Sequence, residues 1–315
     1  MTRFIAGRLI SALPVLFVVS LVSFLLIAVV PGDVTAEIAG ADSTEAQRQL
    51  IREQLGLDRP LPEQAVRWYA NLLQGDLGQS YLLNRPVTEA VFERLPVTLS
   101  LAGIALVLAV AIGMLLGILA AVRHNSWVDQ GSMSVALLGL SVPDFWLGLI
   151  FITVFAVGLG WFPTGGYVPI AESFTGWVVS MTLPALALAF TQVGVVARMT
   201  RSSMLDVLGQ DFIRTARAKG MRGYTVILKH ALLNAMVPVV TVVGVMTGVL
   251  LGGAVVIESV FSLPGVGRLI IGAIQRRDYP IIQGGLLITA AIFVFVNILV
   301  DLAYGWLDPR VRHGR

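Results

Sequence analysis

Six apolar runs, each about the twenty residues that a helix needs to cross a bilayer, dominate this chain. They cover residues 9–30, 99–122, 133–159, 177–196, 235–257 and 284–304. A helix satisfies its own backbone donors and acceptors, so such runs predict an all-α, polytopic membrane protein with six transmembrane helices. With 56% of residues hydrophobic and 13% charged, the 315-residue chain is far more apolar than an average soluble domain. The first run follows Arg3 and Arg8 and precedes Ala39-Gly40-Ala41, an order that imitates a secretory signal. It is too long for a signal core, and the small-residue site lies well beyond its end. The reading is therefore a retained span.

Lys and Arg set the orientation. With both termini cytoplasmic, the inside pieces hold Arg3, Arg8, Arg123, Arg198, Arg201, Arg214, Arg217, Lys219, Arg222, Lys229, Arg310, Arg312 and Arg315. The acids on that side are Asp129, Asp206, Asp211 and Asp308. The outside piece 31–96 reverses the balance, with six Arg against ten Asp and Glu. Arg268, Arg276 and Arg277 in the last outside loop are a mild exception. A pI near 9.5 therefore reflects loops facing the cytoplasm, with no compact basic face for nucleic acid.

Three parts follow: 1–30, the N-terminal segment and first span; 31–96, an external cap; and 97–315, the transmembrane core, with a loop at 198–232. Within the cap, 44–55 and 61–73 read as short amphipathic helices separated by Pro60 and Pro62. Small residues recur every fourth position at Ala109, Gly113, Gly117 and Ala121, and again at Gly244, Gly248 and Gly252. Such ladders let helices approach closely. Pro184 and Pro238 each remove a backbone donor and are expected to bend their helices.

The loop carries a basic segment, DFIRTARAKGMRGYTVILKHALLNAMVP (211–238), between two apolar runs. Asp211 reads as an N-cap and Gly220 as the C-terminal stop. Arg214, Arg217 and Lys219 crowd the last turns, where cations suit the helix dipole. Met204, Leu205, Leu208, Phe212 and Ala216 give an apolar stripe at helical spacing. Two readings fit: an ordinary positive-inside loop, or a surface on which a soluble partner docks.

Chemistry-bearing motifs are sparse. The phosphate-binding pattern G-x-x-x-x-G-K-[ST] is absent, and neither lysine, Lys219 or Lys229, has that setting. If ATP drives the system, another chain binds it. His124, His230 and His313 lack zinc-ligand spacing and read as surface residues. Cysteine is absent, and no catalytic set or metal site is proposed. Asp144 and Asp301 fall inside apolar runs, where ionisable residues are functional candidates. Asp144, after Pro143, reads first as the start of a helix after a break and second as a gate or path contact. Asp301 reads as a residue near the cytoplasmic end, within reach of headgroups or an Arg. The segment ESVFSLPGVGR (258–268) is expected just outside the fifth span. Its Glu258, Phe261, Pro264, Gly265 and Gly267 form either a plain re-entrant turn or an outer gate.

These pieces together resemble the permeases of dipeptide, oligopeptide and nickel ABC importers, and more narrowly the first of their two permease subunits. The resemblance runs nearly end to end. It rests on RFIAGRLISALPVLFVVSLVSFLL (3–26), VPGD (30–33), LGLDRPLPEQ (55–64), GDLGQS (75–80), RPV (85–87) and ERLPVTL (93–99). It continues through SVPDFWLGL (141–149), ARMTRSSMLDVLGQDFIRTARAKG (197–220), LLGGAVVIESVFSLPGVGRL (250–269), RDYPIIQG (277–284) and DLAYGWLDPRVR (301–312).

The resemblance implies a type I ABC importer permease fold in a bacterial or archaeal plasma membrane. It implies a second permease subunit, two ATP-binding subunits, an external solute-binding protein and surrounding lipid as partners. ATP and Mg would sit on the partner subunits, with no cofactor on this chain. The implied function is inward transport of a short peptide by alternating access. Asp211, Arg214, Thr215, Ala216, Arg217, Ala218, Lys219 and Gly220 would form the helix that couples to the ATPase. The general permease motif has Glu-Ala-Ala, then Gly, then Ile-x-Leu-Pro. Here Arg214, Thr215 and Ala216 take the first three places, Gly220 the glycine, and His230, Leu232 and Leu233 the later ones. The alternative class is an ion- or proton-coupled secondary transporter or channel working without ATP. It needs midplane charges and repeated halves, and no half-repeat is visible.

The orientation is testable because the chain has no cysteine. A single cysteine replacing Gln47 should react with an impermeant thiol reagent in intact cells, and one replacing Arg222 should not. The reverse pattern would invert the topology.

Overall fold

A computed structural model describes residues 2–29, 35, 39, 43–56 and 58–307 of the chain. VPGD (30–33) and the terminal DPRVR (308–312) with His313 lie outside the described residues, as do the side chains of Arg3 and Asp301. The chain divides into two compact units. One comprises Met1–Ala6, Val97–Leu263 and Phe295–Arg315, the other Gly7–Pro96 and Pro264–Val294. Among the described residues, five helices are long and apolar enough to cross a membrane, and six if a bent pair is one span.

The second unit holds most of α1 (Thr2–Val29), then α2 (Glu45–Leu55) and α3 (Leu61–Leu73). Both short helices lie where the sequence predicts them. Thr44 caps α2 through a reciprocal capping box with Gln47, and Gly56 ends it at φ 67°. Pro60 and Pro62 sit at the start of α3, where their missing N–H groups cost nothing. Trp68 and Tyr69 of α3 pack on Phe24 and Phe17 of α1, with ring centroids 5.7 and 6.4 Å apart. Next come a short antiparallel pair, β1 (Gln79–Ser80) and β2 (Arg85–Pro86), and α4 (Val87–Phe92). Buried Asp278 accepts a hydrogen bond from Ser80 Oγ at 2.5 Å and so pins that turn. Burial, with the nearby Asp278 charge, pushes the Tyr81 phenol above its ordinary pKa.

The first unit is a helical assembly around one long element. α5 (Leu95–Val122) is followed by α6 (Trp127–Ser141) and α7 (Asp144–Phe151), which continues as a π-helical stretch over Ile152–Gly158. α8 (Phe174–Leu208) leads into α9 (Asp211–Ala218). A short α10 (Gly223–Thr225) and a π-helical turn (Val226–Leu232) then enter α11 (Leu233–Val260). α12 (Val266–Gln275) belongs to the second unit, and α13 (Tyr279–Leu307) contributes to both.

Two expectations change. The run 133–159 is not one straight crossing: α6 and α7 meet at 103°. Val142 is extended (φ −101°, ψ 124°), as a residue before proline prefers, and the helix restarts at Asp144 as the sequence suggests. The fifth helix also extends further than its apolar run. It reaches Val260, so Glu258 lies inside it rather than beyond it, fully buried and bonded to Thr98 Oγ1 at 2.5 Å. The helix stops where Ser262 turns left-handed, at φ 53°.

α8 is the common neighbour. A methyl on Gly117 of α5 would stand 2.6 Å from the Ala197 carbonyl oxygen, and one on Gly113 2.6 Å from Val196 Cβ. From α6, a methyl on Gly139 would meet the Phe190 oxygen at 2.6 Å. One on Gly194 of α8 would meet the Ala136 oxygen at 2.3 Å. The first ladder therefore does pack backbone against backbone. The second makes close contact at only one end. Gly244 faces Val300 of α13, while a methyl on Gly252 meets nothing, and the close approach to Leu188 belongs to Gly253. Pro184 and Pro238 lie within uninterrupted helices.

Gly194→Ala should destabilise the detergent-purified protein by about 1–3 kcal/mol, because backbone rather than a flexible side chain blocks the new methyl. Gly252→Ala, with open space around it, should melt like wild type. Equal melting shifts for the two variants would contradict this packing.

Candidate coupling segment and transport path

The basic segment begins with a helix whose cap differs from expectation. Gln210, not Asp211, is the N-cap, and it gives no side-chain cap bond. Asp211 is the first helical residue and accepts a 3.3 Å bond from exposed Arg214. Such an exposed pair contributes little. Thr215 Oγ1 donates to the Asp211 carbonyl at 3.0 Å. Gly220 ends the helix at φ 75°, as the sequence reading requires, and the Met221 N–H returns to the Ala216 carbonyl at 3.3 Å. A methyl on Gly220 would meet open space, so substitution there costs backbone strain alone.

The apolar stripe does not run through as one face. Gly209 and Gln210 break the helix after Leu208, and the break shifts the phase. Ile213 and Ala216 turn inward and join Met204, Val207, Val226, Ala231 and Ala235 in one buried cluster. Phe212 is turned out, 40% exposed. Ala216 is thus a packing residue of this chain rather than a surface offered to a partner. Arg214, Arg217, Ala218, Lys219 and Arg222 are exposed. Met221, Tyr224 and Leu228 join Phe212 as exposed apolar side chains among these cations. His230 and Leu232 lie on the π-helical turn, and Leu233 starts α11 with its side chain exposed.

A second feature escaped the sequence reading. Asp129, placed there only as a loop acid, is buried and gripped by Arg201 of α8. Arg201 Nε donates to Oδ1 at 2.6 Å and Nη2 to Oδ2 at 2.7 Å, a bidentate pair. The Asn125 N–H donates to Oδ2 at 3.0 Å, and His124 Nδ1 lies 3.2 Å from it. The clamp ties the turn between α5 and α6 to α8 near the end that feeds the basic segment. Two residues seventy-two apart in sequence leave no local signature of this kind.

The proposed path residues divide into separate places. Asp144 opens α7, with Oδ1 accepting from the Phe145 N–H at 2.7 Å, and lines a cavity of about 360 Å³. Glu258 and Phe261 are buried in the first unit. The Phe261 carbonyl accepts from the Gly166 N–H at 3.0 Å, and a methyl on Gly148 would press on its ring at 3.0 Å. Pro264, Gly265 and Gly267 belong to the second unit, Pro264 exposed and both glycines buried. Neither glycine has a positive φ: Gly265 is at −91° and Gly267 is helical, so the left-handed residue of this turn is Ser262.

The family described as the binding-protein-dependent transport system inner membrane component matches residues 113–313, and its N-terminal companion matches residues 1–102. The chain belongs to this family. A putative peptide transport system permease protein of Brucella abortus strain 2308 is 49% identical over 99% of this chain and 100% of its own length. The glutathione transport system permease protein GsiC of Escherichia coli K12 is 43% identical over 99% of this chain and 100% of its own length. Among solved structures, a chain of the MetNI methionine ABC transporter, in an inward-facing form, aligns with a TM-score of 0.53. It covers 70% of this chain and 96% of its own length at 17% identity, a likeness of fold. The binding-protein-dependent permease is therefore a multi-pass inner-membrane protein with the type I importer fold. As a member of that family it works within a system that includes an ATPase and a substrate-binding protein.

Proposed function

We propose that this chain is one half of the translocation path of an importer for short peptides, paired with a second, homologous permease. Two ATP-binding subunits carry ATP and Mg on the cytoplasmic side, an external binding protein delivers the solute, and lipid surrounds the spans. The chain itself is non-catalytic, holds no cofactor and binds no nucleic acid. Both termini and 198–232 face the cytoplasm, and 31–96 forms the external cap. The peptide assignment is supported by the Brucella relative's name, and a small tripeptide-like substrate fits the name of the Escherichia coli one. Neither the family match nor these relatives favour an ATP-independent secondary transporter.

One observation carries the coupling role of Asp211 to Gly220. α9, with Ile213 and Ala216 buried against its own chain, presents Phe212 to solvent, and the stretch after it presents Tyr224 and Leu228, amid Arg214, Arg217, Lys219 and Arg222. A solvated loop has no physical reason to hold large apolar side chains out between cations. A docking knob does, because a partner's cleft buries the apolar groups while the cations meet its carboxylates. The buried face makes the knob rigid, so movement of the ATPase reaches α8 and α11 directly. The spans then rock between states of similar free energy, and ATP binding selects one of them.

The exposed and buried sides of this segment give opposite predictions. Phe212→Glu with Tyr224→Glu should leave membrane levels and pairing with the second permease unchanged. The same pair of changes should cut ATPase co-purification about tenfold or more and abolish ATP-driven uptake. Ala216→Glu should instead lower the amount of folded chain, since it drives a charge into the cluster around Met204. Stoichiometric ATPase and wild-type uptake in the double variant would reduce the segment to a positive-inside loop.

A further inference from the structure

The cavity at the α6–α7 break has a composition that neither packing nor helix capping explains. Its walls include Ser141 and Asp144 from the break, Thr191 and Gln192 from α8, and Val249 and Gly253 from α11. Ser141 Oγ is occupied, donating to the Leu137 carbonyl at 3.0 Å. Asp144 is half occupied. Oδ1 takes the Phe145 N–H, which accounts for its place at a helix start, while Oδ2 has no hydrogen-bond partner among the described residues. Asp144 also makes no ion pair among those residues, although Arg and Lys are plentiful elsewhere in the chain. Gln192 is 7% exposed and likewise makes no hydrogen bond among the described residues. The Gln192 amide borders the cavity, so its partner is whatever enters there, water included.

We propose that this cavity recognises a primary ammonium group, with Asp144 Oδ2 as the counter-charge and the Gln192 amide oxygen as a second acceptor. An anion would be repelled by Asp144. Among the described residues no group of three or more His, Cys, Asp or Glu could hold a metal ion. An ammonium is a compact cation with three donors, two of which Asp144 Oδ2 and the Gln192 amide oxygen can accept. Leu188 and Val249 supply apolar wall for the carbon attached to it. A volume of about 360 Å³ lies within the range of small-ligand sites. Gly253 keeps the approach open: a methyl there would stand 3.1 Å from Asp144 Oδ2 and 2.9 Å from Leu188 Cδ1.

This inference rests on the importer reading above and deepens it. Peptides with a free amino terminus, glutathione included, carry one such ammonium whatever their side chains. A carboxylate and an amide placed beside the path would engage that shared end and leave side-chain choice to the binding protein.

The absence of cysteine permits a direct test in the whole importer complex reconstituted in nanodiscs. Val249→Cys places a thiol on the cavity wall, at a side chain 54% exposed. Its labelling by aminoethyl methanethiosulfonate, a cation, is compared with that by the sulfonatoethyl reagent, an anion, each normalised to a free thiol in solution. The cation should react about tenfold faster, as a negatively focused site requires. Methylammonium should slow the labelling and tetramethylammonium should not. Asp144→Asn should bring the two rates within about twofold. Gly253→Ala, which crowds Oδ2 without removing the charge, should weaken methylammonium protection, and it carries the test if Asp144→Asn fails to assemble. Equal cation and anion rates in the unsubstituted background, or an unchanged ratio in Asp144→Asn, would overturn the proposal. ATP-driven uptake measured on the same preparation separates the two claims. Uptake with no cation preference removes the ammonium site alone, and a cation preference without uptake removes the importer reading alone.

Discussion

Close backbone approach to α8 is the constraint on which the first unit depends. In hydrocarbon, apolar side chains gain nothing by leaving lipid for protein, so helices hold together through tight van der Waals contact. Here the contact is built from small residues: Gly113 and Gly117 against Val196, Ala197 and Thr200, Gly139 against Phe190, and Gly194 against Ala136. The partners include carbonyl oxygens, which cannot move aside as a side-chain tip can. α5 and α6 are thereby set against α8 on faces that glycine alone leaves free, and Gly253 brings α11 close to Leu188 on the same helix.

α8 also links the membrane to the surface. It runs 35 residues, past its apolar stretch, and carries Arg201 into the clamp on Asp129. Each charge-assisted hydrogen bond of that kind contributes roughly 1.5–3 kcal/mol, more than an exposed pair. Its last turns, through Met204 and Val207, share a core with Ile213 and Ala216 of α9 and with Val226, Ala231 and Ala235 on the way into α11. One apolar cluster therefore joins the end of α8, α9 and the start of α11. In the proposed coupling, a push on α9 would pass through packed side chains rather than a slack loop.

Much of this was legible in the sequence, for reasons that differ by feature. Apolar run length placed the spans, amphipathic pattern with Pro60 and Pro62 placed the helices at 45–55 and 61–73, and Gly220 marked a helix stop. All three are local signals. What was missed depends on contacts distant in sequence. Asp129 looked like a loop acid because its partner is Arg201. Gln192 sat unnoticed in an apolar run because nothing local shows that it borders a cavity. Glu258 was set beyond the fifth helix because hydropathy falls before the helix ends. The stripe ending in Phe212 and Ala216 was drawn with one helical phase, and the break at Gly209 and Gln210 changed it. The Gly244–Gly252 ladder obeyed the spacing rule, yet Gly252 faces open space: spacing fixes which residues share a face, not what that face meets.

The central claim is that the docking helix is held rigidly by its own chain before any ATPase arrives. Hydrogen–deuterium exchange on the permease pair without the ATPase subunits tests it directly. The amides of Ala216 to Gly220 should exchange about a hundredfold or more slower than unstructured peptide, and Ala216→Gly should reduce that protection. Exchange at unstructured rates until the ATPase binds would mean that the partner orders the helix, and the account of a preformed, rigid coupling element would be contradicted.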